Sequence, residues 1–98
     1  MAETVTYWLR KLESSIAGVR SHAAWRLGRL GDTSVVPALI QLLQSDENED
    51  ARWTAAWALA ELGDAAAIPA LEATSETDES DEVRARAWEA LRVLRGEA

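Results

Sequence analysis

The chain contains no cysteine and no phenylalanine, and only one lysine, one histidine and one methionine among 98 residues. Without cysteine there is no disulfide, no thiolate nucleophile and no thiolate metal site. No apolar stretch approaches the roughly 18 residues that a membrane span needs. The first fifteen residues are too polar for a secretory signal. A soluble, cytoplasmic chain with no membrane association is therefore expected. Catalytic signatures are missing too. There is no G-x-S-x-G and no phosphate-binding loop, and the lone imidazole, His22, has no evident acid–base partner. His22 is read as a surface residue. No catalytic residue, metal ligand or cofactor is expected, and the chain is read as not an enzyme.

Positive charge is also short. Ten basic residues, all arginine except Lys11, face seventeen acids, for a net charge of −7 and a pI of about 4.6. Nucleic-acid phosphates demand a basic face, so nucleic acid is not an expected partner. An acid-rich, lysine-poor composition suits either a salt-adapted protein or an ordinary acidic surface that keeps a small domain soluble.

What is present is one stretch written repeatedly. Residues 19–32 read VRSHAAWRLGRLGD, residues 51–64 read ARWTAAWALAELGD, and residues 83–96 read VRARAWEALRVLRG. They start at residues 19, 51 and 83, a step of 32. Laid on residues 51–76, residues 19–44 keep Arg20, Ala23, Ala24, Trp25, Leu27, Leu30, Gly31, Asp32, Pro37, Ala38 and Leu39. A fixed period of this length marks a stacked repeat array, in which stability comes from each unit packing on the next. The 98 residues are read as one domain. It comprises a capping helix at 4–14, one repeat at 17–46, a second at 49–75 and a half repeat at 81–95.

Helical spacing fills in the elements. Val19, Ala23, Ala24, Leu27 and Leu30 make an inward stripe over 17–30. Gly31 suits the position just past a helix end, and Asp32 offers a capping oxygen. A helix over 34–44 follows, with Pro37 in its first turn. The pattern returns over 50–62 and 66–74. The latter is expected to be short, because Glu72, Thr74 and Ser75 replace Ile40, Leu42 and Leu43. A last helix covers 81–95, where Trp88 stands in place of Ala24 and Ala56 and is expected to cover the end of the stack. The acidic links at 46–50 and 76–82 are read mainly as solvated loops that cap helices.

The motif resembles short HEAT-like repeats of the phycobilisome-lyase type. Val19, Arg20, Ala23, Ala24, Leu27, Gly28, Leu30, Gly31, Asp32 and then Pro37, Ala38, Leu39, Ile40 carry the likeness, as do their counterparts from Arg52 to Leu71. The resemblance implies an all-α, right-handed α-solenoid of antiparallel helix pairs, about six helices in all. It implies protein partners for most members, and lyase or chaperone roles in bilin attachment for some. One branch of the family is a di-iron hydroxylase that holds its metal with repeated His-Glu pairs. His22 is followed by Ala23, so that role does not carry over. The resemblance also implies a structural ladder in which Asp32 meets Arg52 and Asp64 meets Arg84, with Arg20 at the equivalent position of the first repeat.

Five tryptophans stand out. Trp25 and Trp57 occupy positions that are usually polar and outward, and Trp53 lies one turn before Trp57. On adjacent helices Trp25 and Trp57 should lie about 10 Å apart. Contiguous large apolar residues on a surface mark partner sites, and Trp is enriched in binding hot spots. The alternative is that these rings fold back into the core. The expected partner site is Trp25, Trp53 and Trp57, flanked by Arg29 and Glu61. It would bind another protein or a second copy as a homodimer. The rival reading is a lyase-like or chaperone accessory that cradles a chromophore or another apolar ligand. A second face is offered by Ala38, Gln41 and Leu42.

Overall fold

A computed structural model describes residues 4–97. Among these residues there are six α-helices and no strand: α1 (Val5–Lys11), α2 (Ala17–Leu30), α3 (Val36–Ser45), α4 (Glu49–Leu62), α5 (Ile68–Thr77) and α6 (Asp81–Leu94). Short 3₁₀ turns at Thr33–Val35 and Ala65–Ala67 lead into α3 and α5. Helices α2, α4 and α6 are each 14 residues long and begin at residues 17, 49 and 81, so the written period is also the structural one.

Local chemistry sets the ends. Gly31 and Gly63 sit at φ of 76° and 69°, the left-handed conformation that stops α2 and α4. Asp32 and Asp64 each accept a hydrogen bond from the backbone N–H two residues on, at 2.9 Å, and start the 3₁₀ turns. Pro37 and Pro69 occupy the first turns of α3 and α5, where a missing N–H is least costly. Asn48 and Ser80 cap α4 and α6 by accepting backbone N–H bonds, with Glu49, Asp50, Asp81 and Glu82 in the first turns.

The packing is a two-layer stack. Helices α2, α4 and α6 lie side by side, and α1, α3 and α5 each pack on the long helix that follows. Small residues let the long helices approach closely. Ala23, Ala24, Ala55, Ala56 and Ala87 are fully buried. A Cβ placed on Gly28 would come within 2.9 Å of the Ala58 Cβ and 3.0 Å of its Cα. Leu27, Leu39, Leu43, Leu59 and Leu71 fill the interior between the layers. Each such leucine contributes about 1.5–3 kcal/mol by leaving water. No helix among the described residues is long and apolar enough to cross a membrane.

Two sequence expectations need correction. Helix α5 does not stop at residue 74 but runs to Thr77, matching α3 in length. The polar substitutes are accommodated: Thr74 is buried, Glu72 pairs with Arg95, and the Ser75 and Thr77 hydroxyls donate to backbone carbonyls of their own helix. Trp88 does not bury itself over the end of the stack. It remains 53% exposed, with the Arg92 guanidinium 4.9 Å above its ring.

Candidate interaction face

The expected ladder exists, but with other acids. Arg20 donates from Nε and Nη2 to the two oxygens of Asp46 at 2.7 and 2.9 Å, and from Nη1 to the Ser14 carbonyl at 2.9 Å. Arg52 repeats this on Asp78 at 2.9 and 3.0 Å and on the Asp46 carbonyl at 2.8 Å. Each planar fork thus ties the link before its own helix to the link one repeat further on. This geometry is available to arginine and not to lysine. Asp32 and Asp64, expected to meet Arg52 and Arg84, are taken up by the 3₁₀ caps at the opposite end of the hairpin. Arg84 donates to the Asp78 carbonyl and to Asp81 in its own helix. Its side chain stays 36% exposed, against 7% for Arg52.

The sequence signal for the true acceptors was present. Ser45, Asp46, Glu47 and Asn48 recur as Thr77, Asp78, Glu79 and Ser80 in the same register. Burial pushes the Asp46 and Asp78 carboxyls up. Hydrogen bonds from Arg20 or Arg52, a backbone N–H, and the neighbouring guanidinium charges outweigh that, so both lie below their ordinary value. These pairs join neighbouring links.

The tryptophans form a different arrangement from a flat patch. Trp25 on α2 stacks on Trp57 of α4, with ring centroids 6.3 Å apart and planes 13° from parallel. On the other side His22 stacks on Trp25 at 6.1 Å. His22 in turn meets the edge of Trp8 at 5.2 Å, and Trp8 meets Tyr7 at 4.8 Å. His22 is on the surface, as expected, but it is a rung in this row. Tyr7, Trp8 and His22 were not expected in the site. Their membership depends on how α1 lies against α2, which periodicity does not reveal.

Cations cover the row. Lys11 lies 5.2 Å from the Tyr7 ring, Arg26 lies 5.4 Å from Trp8 and Arg29 lies 5.5 Å from Trp25. Each such contact contributes about 0.5–1 kcal/mol where exposed. Trp8 is buried, Trp57 is half-buried, and Tyr7 and Trp25 remain exposed at 41% and 38%. Trp53 is not in the row. It is half-buried between α4 and α6, under Arg86 at 4.5 Å, beside a shallow groove lined by Glu82 and Ala85. Glu61 is exposed on α4 one turn beyond Trp57.

The opposite layer holds a cavity of about 790 Å³ between α1 and α3. Its floor is Leu9, Leu12, Ala38 and Leu42, and its rim includes Gln41, Glu13 and the Arg20–Asp46 pair. Ala38, Gln41 and Leu42 line it together.

Antiparallel helices stacked at a constant period, with small residues in the seams and an arginine–aspartate ladder along the links, define an α-solenoid. The chain belongs to the HEAT-repeat family, whose sequence profile matches residues 5–92. No curated protein sequence matches it. Among solved structures it is similar to human deoxyhypusine hydroxylase in complex with glycerol, with a TM-score of 0.86 and 25% identity over 94% of this chain and 32% of that one. It is also similar to the complex of CpcE and CpcF of phycocyanin lyase from Nostoc sp. PCC7120, with a TM-score of 0.85 and 32% identity over 97% of this chain and 38% of that one. The chain thus spans about a third of the length of either.

These neighbours overturn the reading of the chain as not an enzyme. One is a hydroxylase and the other a complex of lyase subunits, so an array of this kind does occur within enzymes. Absent catalytic motifs in one array say nothing of chemistry that an array shares with further repeats or with another subunit. A hydroxylase metal centre does not fit this donor set. The single imidazole is stacked on an indole, and among the described residues no three His, Asp or Glu side chains converge to hold an ion.

Proposed function

We propose that the chain is a docking module for another protein, which seats on the aromatic row formed by Tyr7, His22, Trp25 and Trp57. The observation that carries this reading is the continuity of the row across α1, α2 and α4, with large rings left partly in water. Contiguous apolar surface of that kind, and tryptophan in particular, supplies most of the binding energy at protein interfaces. Arg29 stands over the row as a polar flank, and Glu61 on the next helix bounds it. Trp53 belongs to a neighbouring groove and contributes less.

The test is capture of partners from the native host by the wild-type chain and by a Trp25→Ser/Trp57→Ser variant, with folding followed by circular dichroism. Loss of capture with an intact helical signal supports the reading. Collapse of the helical signal assigns both rings to the core. A second copy as the partner would appear as concentration-dependent mass in light scattering.

A second reading has its own support. The cavity between α1 and α3 has an apolar floor and a volume within the range of small-molecule sites. The likeness to a complex of phycocyanin lyase subunits supports a lyase-accessory reading. On this reading the module helps a lyase reaction by holding an apolar ligand against Leu9, Leu12 and Leu42. Titration with a bilin, followed by tryptophan quenching and visible absorbance, tests it. Saturable binding lost in Leu42→Glu is the expected result.

A further inference from the structure

The net charge of −7 hides a strong segregation. Residues 4–30 carry Arg10, Lys11, Arg20, Arg26 and Arg29 against Glu13 alone. Residues 46–82 carry twelve acids against Arg52 alone. Arg20 pairs with Asp46, and Lys11 and Arg29 lie over rings of the aromatic row. Lys11 and Arg29 therefore place positive charge where the exposed rings Tyr7 and Trp25 meet water, and four further arginines, Arg84, Arg86, Arg92 and Arg95, lie at the other end of the stack with Glu89 and Glu97. The row also stops before α6, where Glu89 occupies the position held by Trp25 and Trp57.

Building on the docking reading, we infer that the partner presents an acidic segment to this face. One of its apolar or aromatic side chains covers Trp25, and its carboxylates lie near Lys11 and Arg29. Charge complementarity selects this occupant. A cation over a ring face keeps open donors for an anion, because a guanidinium has five N–H groups and no acceptor. A nucleic acid would meet the same cations, but the twelve acids beyond α3 repel an extended polyanion. A second copy could offer its own acidic links, but two chains of charge −7 repel. A single contact between one copy's basic end and another's acidic edge is head-to-tail and leaves the mating surfaces of the two outer ends open, so it propagates into a ring or a filament. An acidic stretch of a different protein, short enough to lie on α1, α2 and α4, meets none of these objections.

The experiment titrates the full chain with three synthetic probes, followed by tryptophan fluorescence. They are an amphipathic peptide rich in glutamate with one leucine stripe, the same peptide with every glutamate replaced by glutamine, and oligothymidylate. The expected result is that the glutamate peptide binds at least tenfold more tightly than the glutamine peptide. Its affinity should fall about tenfold between 50 and 300 mM KCl, as exposed charge pairs do when screening rises. Lys11→Glu/Arg29→Glu should weaken it at least tenfold, whereas Glu76→Lys, on the far link, should not.

Equal binding of the two peptides overturns the inference and leaves the aromatic docking reading standing. Glutamate-peptide binding that survives Trp25→Ser overturns both. Tighter binding of oligothymidylate than of the glutamate peptide overturns the acidic protein segment. So does salt-sensitive self-association abolished by Arg29→Glu, and so does the absence of measurable binding to either peptide at millimolar concentration.

Discussion

The second and third rungs of the arginine ladder carry the same residue in the same helix position, yet they are different interactions. Arg52 spans two links, its fork filled by both oxygens of Asp78, with side chains only 7% and 9% exposed. Arg84 reaches back to the preceding link and otherwise to Asp81, a solvated neighbour three residues away. The first arrangement needs a hairpin on each side. The second is what remains where no further hairpin packs against α6 among the described residues. The motif fixes the arginine, but the neighbouring repeat decides whether that arginine holds the stack together.

The comparison breaks most visibly at the inner rung. Asp78→Ala removes the acceptor for both Arg52 donors and for the Ser80 backbone N–H. Leaving a largely buried guanidinium without its carboxylate costs roughly 3–4 kcal/mol, in the lower part of the range for breaking a buried pair. Urea denaturation should show a lower midpoint with an unchanged slope. A midpoint shift below about a tenth of the wild-type value would mean that the rung does not hold the links.

Acid should act on both inner rungs together. The Asp46 and Asp78 carboxyls lie below their ordinary value in the folded chain, and an unfolded aspartate titrates near 3.9. Their stabilisation is therefore fully present above about pH 4 and is lost as pH falls through the depressed folded values. The arginines are raised further above neutrality and add no pH dependence in this window. Melting temperature measured from pH 7 to pH 2 should be flat to about pH 4 and then drop. In Asp78→Asn the drop should be shallower.

Helix α2 offers the same contrast within one element, between a joined seam and an open side. At Gly28 an added methyl would press on the Ala58 Cβ and backbone and on the Trp57 ring, 2.9 to 3.1 Å away. Gly28→Ala should destabilise by about 1–2 kcal/mol, overpacking outweighing a gain in helix propensity of about 1 kcal/mol. At Gly18 nothing lies within 4 Å, so Gly18→Ala should stabilise by about 0.5–1 kcal/mol. Thermal melts of the two variants should move in opposite directions.

How much of this was legible varied with range. The bounds of α2, α4 and α6 follow from apolar spacing, capping residues and terminal glycines, all local, and they came out within a residue or two of the written pattern. The ladder was half legible. The motif marks Arg20 and Arg52, but their acids lie 26 residues on, and a repeat offers several acids per period. The choice between Asp32 and Asp46 is made by which end of the hairpin the arginine points toward. The aromatic row was legible only as a set of outward tryptophans. That Trp25 stacks on Trp57 while Trp53 turns to Arg86 is decided by the rotation of α4 between two neighbours. Period-based reasoning fixes positions on a helix, not the direction in which a large ring tips.

The smallest effect sharpens the opening contrast. Arg84→Ala removes a pair whose carboxylate is 85% exposed, and surface ion pairs of this kind contribute about 0–1 kcal/mol, less at high salt. The Asp78 carbonyl that Arg84 also touches can be solvated instead. Arg84→Ala should therefore shift the urea midpoint little at low salt and not measurably in molar KCl, whereas the Asp78→Ala deficit should persist in both. If Arg84→Ala proved as costly as Asp78→Ala, residue position within the motif, and not the presence of a flanking hairpin, would set the strength of a rung. If adding a further hairpin with an aspartate in its link made Arg84→Ala costly, the dependence on a neighbour would be established directly.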